Sequence, residues 1–107
     1  DSHVSVSPVE ELRWLEYGQR LATRTRTVAV EPGTPGVAAT LLRAVGDSAA
    51  TATGFDADAL AGDAVVLDEV PALVGATDAN ALERWVFAGN RGAVRDVHVA
   101  GRCVVED

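Results

Sequence analysis

The sequence contains no lysine and no methionine, and it has one cysteine and two histidines among 107 residues. Because Cys103 is the only cysteine, no disulfide can form within the chain, which fits a reducing, cytoplasmic compartment. Cys103 lies in an apolar segment, so we expect a buried and inert thiol. No apolar run approaches the roughly 20 residues that span a bilayer, and we find no signal peptide, so we expect no membrane partner.

The chain also lacks any concentration of positive charge on the scale that polyanions require. Its nine cationic residues are all arginine, its acidic residues number 16, and the net charge is −7. Without a basic stripe, binding to nucleic acid or to anionic membranes is not expected. A hydrophobic content of 48% and a charged content of 23% are typical of a globular chain of one domain or less.

The first residues are polar, Asp1-Ser2-His3, and no initiator methionine precedes them. We interpret the chain as a fragment or a processed product. The triplet combines a carboxylate, a hydroxyl and an imidazole, which are metal ligands and acid–base groups. Taken by itself, however, such a triplet is more often a frayed polar terminus.

Helices are predicted in the first half of the chain. Ser7-Pro8, followed by Glu10, is a helix start for residues 8–23, whose apolar stripe would include Leu12, Leu15 and Gln19, with Trp14, Tyr17 and Leu21 beside it. Thr34-Pro35 starts a second helix, which should stop at Gly46, and a short helical turn should follow and end at Gly54.

The second half of the chain mixes strands with one helix. An apolar run at 63–68 predicts a buried strand, and a helix follows from Thr77 or Asp78 to Gly89. That helix should direct three apolar side chains inward, namely Leu82, Trp85 and Val86. Alternating valines at 93–106 predict a β-hairpin with its turn at Gly101-Arg102.

The predicted class is therefore α/β, but the elements do not form a self-contained unit. Three short strands make a poor sheet, and the helices would have their apolar faces only half covered. We expect the chain to need missing sequence or a partner chain, and self-association as a homodimer through exposed apolar helix faces is one solution.

Few other residues point to chemistry. His98 alternates with valines and is most simply a partly exposed strand histidine on the face opposite Val97 and Val99. No HxH, HExxH or cysteine pair is present, so no metal site can be assembled from this chain alone. We interpret the arginines as a solvated helix end rather than an anion site (Arg20, Arg24 and Arg26), and the glutamates of the first helix as first-turn and surface acids (Glu10, Glu11 and Glu16).

Three segments resemble the formimidoylglutamate deiminase family of amidohydrolases. The first is residues 1–21, in which "DSH" is followed by the helix "VEELRWLEYGQRL". The second is "DAVVLD" at 63–68, similar to a strand that follows the barrel in amidohydrolases. The third is "WVFAGNRGAVRDVHVAGRCVVED" at 85–107, similar to the closing hairpin of the family.

The resemblance implies that the chain is the C-terminal piece of a (β/α)₈ barrel enzyme. Residues 1–60 would end the metal-dependent hydrolase barrel, from the strand-8 exit through its last helices. Residues 61–107 would form part of a small β-rich domain with a strand, a helix and a hairpin. Barrel active sites lie at the carboxyl ends of strands, and Asp1 matches the aspartate at the end of strand 8.

The resemblance also implies an activity. Asp1 would be a ligand of the catalytic metal, typically zinc, and a proton shuttle that takes a proton from the attacking water and helps to protonate departing ammonia. The substrate would be N-formimino-L-glutamate and the product N-formyl-L-glutamate, in histidine degradation. The substrate-binding residues are not identified, and we expect the chain alone to be inactive.

Two alternatives stay open. One is another deaminase of the same superfamily, acting on guanine or cytosine, or a chlorohydrolase-like enzyme. The other is a non-catalytic module that associates with itself.

Overall fold

The structure, a computed structural model, describes residues 4–89 and 92–106. Its elements, in chain order, are α1 (Pro8–Thr23), α2 (Val37–Thr53), a 3₁₀ helix (Ala57–Leu60), β1 (Ala64–Leu67), α3 (Ala81–Phe87), β2 (Val94–Val99) and β3 (Arg102–Val105). This mixture of helices and sheet confirms the coarse α/β class.

Helix α1 begins as the sequence predicts, and its buried stripe is predicted only in part. The Ser7 hydroxyl accepts a hydrogen bond from the Glu10 backbone N–H at 3.4 Å, and Pro8 occupies the first turn. The buried side chains are Leu12 and Glu16. The predicted inward position of Leu12 is confirmed, whereas Leu15 is 55% exposed and was wrongly placed on the buried stripe.

Helix α2 is longer than predicted. It continues through Gly46 to Thr53 and ends at Gly54, which takes a left-handed φ of 77°. The predicted stop at Gly46 was wrong because a single glycine inside a helix costs only about 1 kcal/mol, and alanines follow it at 49, 50 and 52. The separate turn predicted before Gly54 is the end of the same helix.

The core lies where α3 packs against both α1 and α2. It consists of Leu12, Val37, Ala38, Leu41 and Val86, and Val86 is fully buried. The inward position predicted for Val86 is confirmed. Leu82 is instead 38% exposed, because α3 begins only at Ala81 and places Leu82 in a first turn outside the core.

The three strands form an antiparallel sheet in the order β1-β2-β3. Val65 pairs with Val97, and Val97 pairs with Val105, so these valines share one face. Val65 and Val105 are 47% and 54% exposed. The expectation of a buried strand at 63–68 was therefore wrong, as was that of a buried Cys103, which is exposed. Among the described residues, helices pack mainly on helices and strands on strands.

The hairpin turn lies one residue earlier than predicted, at Ala100-Gly101. Both residues have positive φ angles, 50° and 76°, as a two-residue hairpin turn of this hand requires. The turn is attached to the start of β1, because the Ala100 N–H donates to Asp63 Oδ1 at 2.8 Å and the Gly101 N–H donates to the Gly62 carbonyl at 2.9 Å. No helix in the described ranges has the length and apolar character needed to cross a membrane.

Candidate functional site

Asp1, the predicted catalytic residue and metal ligand, lies outside the described residues, as do Ser2 and His3. The described residues begin at Val4, and the side chains of Val4 and Val6 are fully exposed. Two serines of this segment make hydrogen bonds to α1: the Ser5 hydroxyl donates to the Glu10 carboxylate, and Ser7 caps the helix. These contacts hold Ser5 and Ser7 to the first turn of α1.

A cleft of about 460 Å³ lies beside this N-terminal segment. Its walls come from the start of α1, the carboxyl end of α3 and the approach to β2. The lining residues are 5–10, Arg13, Trp85, Gly89 and 92–94. Hydroxyl, carboxylate and guanidinium groups line it next to the ring of Trp85, so the cleft combines polar and apolar contacts.

Arg13 joins α1 to the end of α3 at this cleft. Its Nε donates to the Val86 carbonyl at 2.7 Å, and its Nη2 donates to the Gly89 carbonyl. The last carbonyls of a helix have no partner within the helix, and a cation there is also favourable for the helix dipole. Arg13 thus satisfies carbonyls at the carboxyl end of α3, a helix of seven residues. It is therefore a positioning residue for one wall of the cleft.

Glu16 is the most deeply buried charged side chain described, at 1% exposure. Its Oε1 accepts from Arg20 Nε at 2.7 Å and from the Val28 N–H at 2.9 Å, and its Oε2 accepts from the Ala29 N–H at 3.0 Å. The interpretation of Glu16 as a surface acid was wrong. Its burial depends on the loop that follows α1, which folds back over the helix.

Burial by itself raises the pKa of the Glu16 carboxyl, because the charged form loses solvation. The hydrogen bonds from Arg20, Val28 and Ala29 and the positive charge of Arg20 outweigh this effect, so the pKa lies below its usual value of 4.5. Glu16 is therefore ionised at neutral pH and serves as a structural anion, not as a general acid.

The arginines after Glu16 do not form an anion site. Arg20 lies 5.4 Å from the centre of the Tyr17 ring and 5.6 Å from that of Phe87, and it is paired with Glu16. Arg24 and Arg26 are exposed at the end of α1, as the interpretation of a solvated helix end expects.

The described metal-ligating side chains are dispersed. His98 is half-buried in β2 and pairs with Ala64 on one side and with Cys103 on the other. Strand alternation puts it on the face opposite Val97. Within residues 4–89 and 92–106, no three side chains among His, Cys, Asp and Glu come together as metal ligands do.

Two residues of this region, Arg13 and Glu16, were missed by sequence reasoning. Glu16 and Arg20 are four residues apart, as in a helical ion pair. Glu16 also lies four residues after Leu12, on the buried stripe, and this spacing was the available signal of its burial. For Arg13 no local signal exists, because its partners are more than 70 residues away, with separations of 73 and 76.

Comparison with known proteins extends the resemblance seen in the three segments. The chain is 48% identical to formimidoylglutamate deiminase of Pseudomonas aeruginosa over 112 aligned positions. The alignment covers 100% of this chain and 25% of that protein, so the chain spans about a quarter of the length of the curated relative it matches. No protein-family profile matches the chain. From end to end, this chain is similar to a quarter of a formimidoylglutamate deiminase, which confirms the resemblance inferred from its sequence.

Proposed function

We propose that this chain is the C-terminal part of a metal-dependent amidohydrolase that converts N-formimino-L-glutamate to N-formyl-L-glutamate and ammonia in histidine degradation. The observation that carries the proposal is the 48% identity over the whole chain to a formimidoylglutamate deiminase. An alignment that spans the whole chain is stronger support than a short motif, since it includes both the helical half and the sheet.

In this proposal residues 1–60 end a (β/α)₈ barrel and residues 61–107 belong to a small β-rich domain. The order of elements supports the division, because α1 and α2 lie in the first part and all three strands in the second. The exposed sheet also supports it, since a three-stranded sheet with half-exposed valines is incomplete without further structure.

Asp1 is the proposed catalytic residue. In the reaction, water adds to the formimino carbon, the bond to the terminal nitrogen breaks, and that nitrogen leaves as ammonia. The Asp1 carboxylate would accept a proton from the water and return it to the leaving nitrogen.

Zinc is the proposed cofactor of the intact enzyme, with Asp1 as one ligand. No three candidate ligands come together among residues 4–89 and 92–106. When bound, zinc would activate the attacking water. We also propose that the enzyme binds a small-molecule substrate and that neither nucleic acid nor a membrane is a partner. The proposed location is the cytoplasm.

The test uses the full-length enzyme that contains this chain. Ammonia release should be far faster from formiminoglutamate than from guanine or cytosine. Asp1→Asn should lower kcat by a factor of about 10² to 10⁴ with little change in folding, whereas Asp47→Asn, on the exposed side of α2, should leave kcat unchanged. Preference for guanine or cytosine would favour the other superfamily deaminases and contradict the substrate proposed.

The 107-residue chain alone should release no ammonia from formiminoglutamate, even with zinc added. It should instead associate with itself, because large apolar side chains of its helices are exposed, including Trp14, Leu21 and Val45. Sedimentation at increasing concentration checks this second expectation. A compact monomer at all concentrations would contradict it, and ammonia release by the chain alone would contradict the first.

A further inference from the structure

The segment before α1 is held to the helix by a hydrogen bond that helix capping does not require. The Ser7 hydroxyl already caps α1 by accepting the Glu10 N–H. In a usual capping box, the glutamate three residues after the cap reaches back to the backbone N–H of the cap residue. The Glu10 carboxylate also reaches two residues further, because its Oε2 accepts the Ser5 hydroxyl across five positions of the chain. This bond therefore holds the segment that precedes the helix.

The acceptor of this bond is positioned by α1. The other oxygen of Glu10, Oε1, accepts the indole N–H of Trp14 at 3.4 Å, one turn further along the helix. Glu10 lies in the first turn, where the helix dipole favours a negative charge. Hydrogen bonds to a charged acceptor are roughly twice as strong as neutral ones. Ser5 is thus bound to a side chain whose own place is set by the helix.

Hydrogen bonds, and not apolar packing, hold this segment to the described chain. Val4 and Val6 flank Ser5, and both of their side chains are fully exposed. Ser5 is half-buried. Removal of its hydroxyl would therefore take away the contact that holds this part of the segment against α1.

The contact lies close in the chain to the proposed catalytic carboxylate. Asp1 is four residues before Ser5, so at most about 14 Å of extended chain joins their Cα atoms. Catalytic groups must be held within about 0.5 Å of their productive geometry. A shift of the chain at Ser5 is therefore large enough to matter at Asp1.

We propose that Ser5 and Glu10 are positioning residues for Asp1 in the intact enzyme. Neither residue touches the reacting atoms. The hydrogen bond between them sets where the chain that leaves Asp1 meets α1, and so sets the orientation of the Asp1 carboxylate. The proposal rests on the proposed function in taking Asp1 as the catalytic carboxylate and as a metal ligand.

Single substitutions in the full-length enzyme separate positioning from a general effect on the helix. Ser5→Ala and Glu10→Ala should each lower kcat about 10- to 100-fold, as loss of a supporting contact at a metal ligand does, with KM changed less than about twofold. Ser5→Thr keeps a hydroxyl and should restore most of kcat. Glu11→Ala, the matched control, removes the same charge from the first turn of α1 and should leave kcat nearly unchanged. An equal loss in Glu11→Ala, or no rescue by Ser5→Thr, would overturn the proposal.

A double-mutant cycle in kcat tests whether the two residues act together. If Ser5 acts through Glu10, the variant with both Ser5→Ala and Glu10→Ala should lose no more than the worse single variant, to within about twofold. Combining Ser5→Ala with Glu11→Ala should give the loss of Ser5→Ala alone. Losses that multiply for Ser5 and Glu10 would show independent roles and overturn the proposal.

Zinc retention is a readout that does not depend on turnover. Because Asp1 is a proposed ligand, a displaced Asp1 should loosen the metal. The zinc-loaded full-length enzyme is titrated with a chelator, and the zinc that stays bound is measured. Ser5→Ala and Glu10→Ala should lose zinc at chelator concentrations about 10- to 100-fold lower than the unmodified enzyme and Glu11→Ala. Equal retention by all four proteins would overturn the proposal.

These measurements distinguish failure of the positioning pair from failure of the proposed substrate. The kcat comparisons are repeated on guanine and cytosine. Preference for one of these bases, with the coupling of Ser5 and Glu10 intact, would refute the proposed function alone. Undiminished ammonia release from formiminoglutamate by both Ser5→Ala and Glu10→Ala would refute the positioning pair alone.

Discussion

Glu16 shows how one charged side chain holds a loop to a helix. Its carboxylate is buried and accepts two backbone N–H groups from residues 28 and 29 as well as the Arg20 guanidinium. We expect Glu16→Gln to lower the free energy of unfolding by about 1–3 kcal/mol, because buried donors lose a charged acceptor. Urea unfolding at pH 7 measures this, with Glu31→Gln, on an exposed residue, as the control. Equal stability of the two variants would contradict the role of Glu16.

The same carboxylate should make stability depend on pH. Because the pKa of Glu16 is lowered in the folded chain, its contribution is fully present above the unfolded value of about 4.5 and is lost as pH falls through the folded pKa. The stability difference between the unmodified chain and Glu16→Gln should therefore be constant near neutrality and shrink below about pH 4.5. A difference that stays constant down to pH 3 would show that Glu16 is not bound as an ion.

Sequence reasoning interpreted Glu16 as a surface acid and Arg20 as part of a solvated helix end, and it did not pair them. Ion pairs four residues apart on a helix are usually exposed, and a glutamate is seldom buried. Glu16 is buried through its contacts with Val28 and Ala29, which lie 12 and 13 positions further along the chain. Local spacing carries no information on whether a loop folds back, so this error was a matter of tertiary structure.

At the scale of elements, α2 and α3 interlock through one side chain. Glu83 of α3 accepts the Ala38 N–H at 2.7 Å and so satisfies a donor at the start of α2. A Cβ on Gly36 would lie 2.7 Å from Glu83 Cδ. The φ of Gly36 is 170°, which any residue adopts, so the constraint here is space: a Cβ would push the Glu83 carboxylate away from the Ala38 N–H.

A double-mutant cycle tests this interlock. Glu83→Ala should cost about 0.5–2 kcal/mol as a lost helix cap, and Gly36→Ala should cost about as much, because its Cβ displaces the Glu83 carboxylate from the Ala38 N–H. The double variant should cost at least about 0.5 kcal/mol less than the sum, because the clash needs the Glu83 side chain. Gly46→Ala, where a Cβ has open space, is the control and should stabilise the chain. Additive effects would show that the two residues do not touch.

The presence of the α-helices and strands could be predicted from the sequence. Their ends could be predicted where a capping residue nearby in the sequence marks them. Ser7-Pro8 begins α1 and Gly54 ends α2, in each case by capping interactions within one turn of the helix. The start of α3 was missed because the Thr77 N–H donates to Asn80 Oδ1 at 2.9 Å and forms a turn first. The burial of β1 was misjudged because apolar strands at 63–68 and 93–106 suggest a covered sheet, whereas nothing in the described chain packs on it substantially.

For the whole molecule, the candidate site was reached by resemblance and not by physical pattern. Asp1 has no partner motif within the sequence, and the described residues bring no metal ligands together. Composition and periodicity describe a chain whose apolar faces are short of cover, and they do not point to a reaction. The alignment over the whole chain is what connects these residues, by similarity, with a formimidoylglutamate deiminase.

The folded chain exposes more surface than a compact domain of its mass, for which about 5,700 Å² is expected, so unfolding should expose less new surface. With 7790 Å² exposed when folded, the chain exposes about a fifth less new surface on unfolding than a compact domain of its mass, by the scaling of folded and unfolded surface. Because the urea m-value is proportional to newly exposed surface, the m-value of the dilute chain should be about a fifth below that of compact domains of the same length. It should rise with protein concentration as association covers the apolar faces. An m-value that is normal and independent of concentration would mean that the apolar faces of the sheet and of α1 pack together in solution.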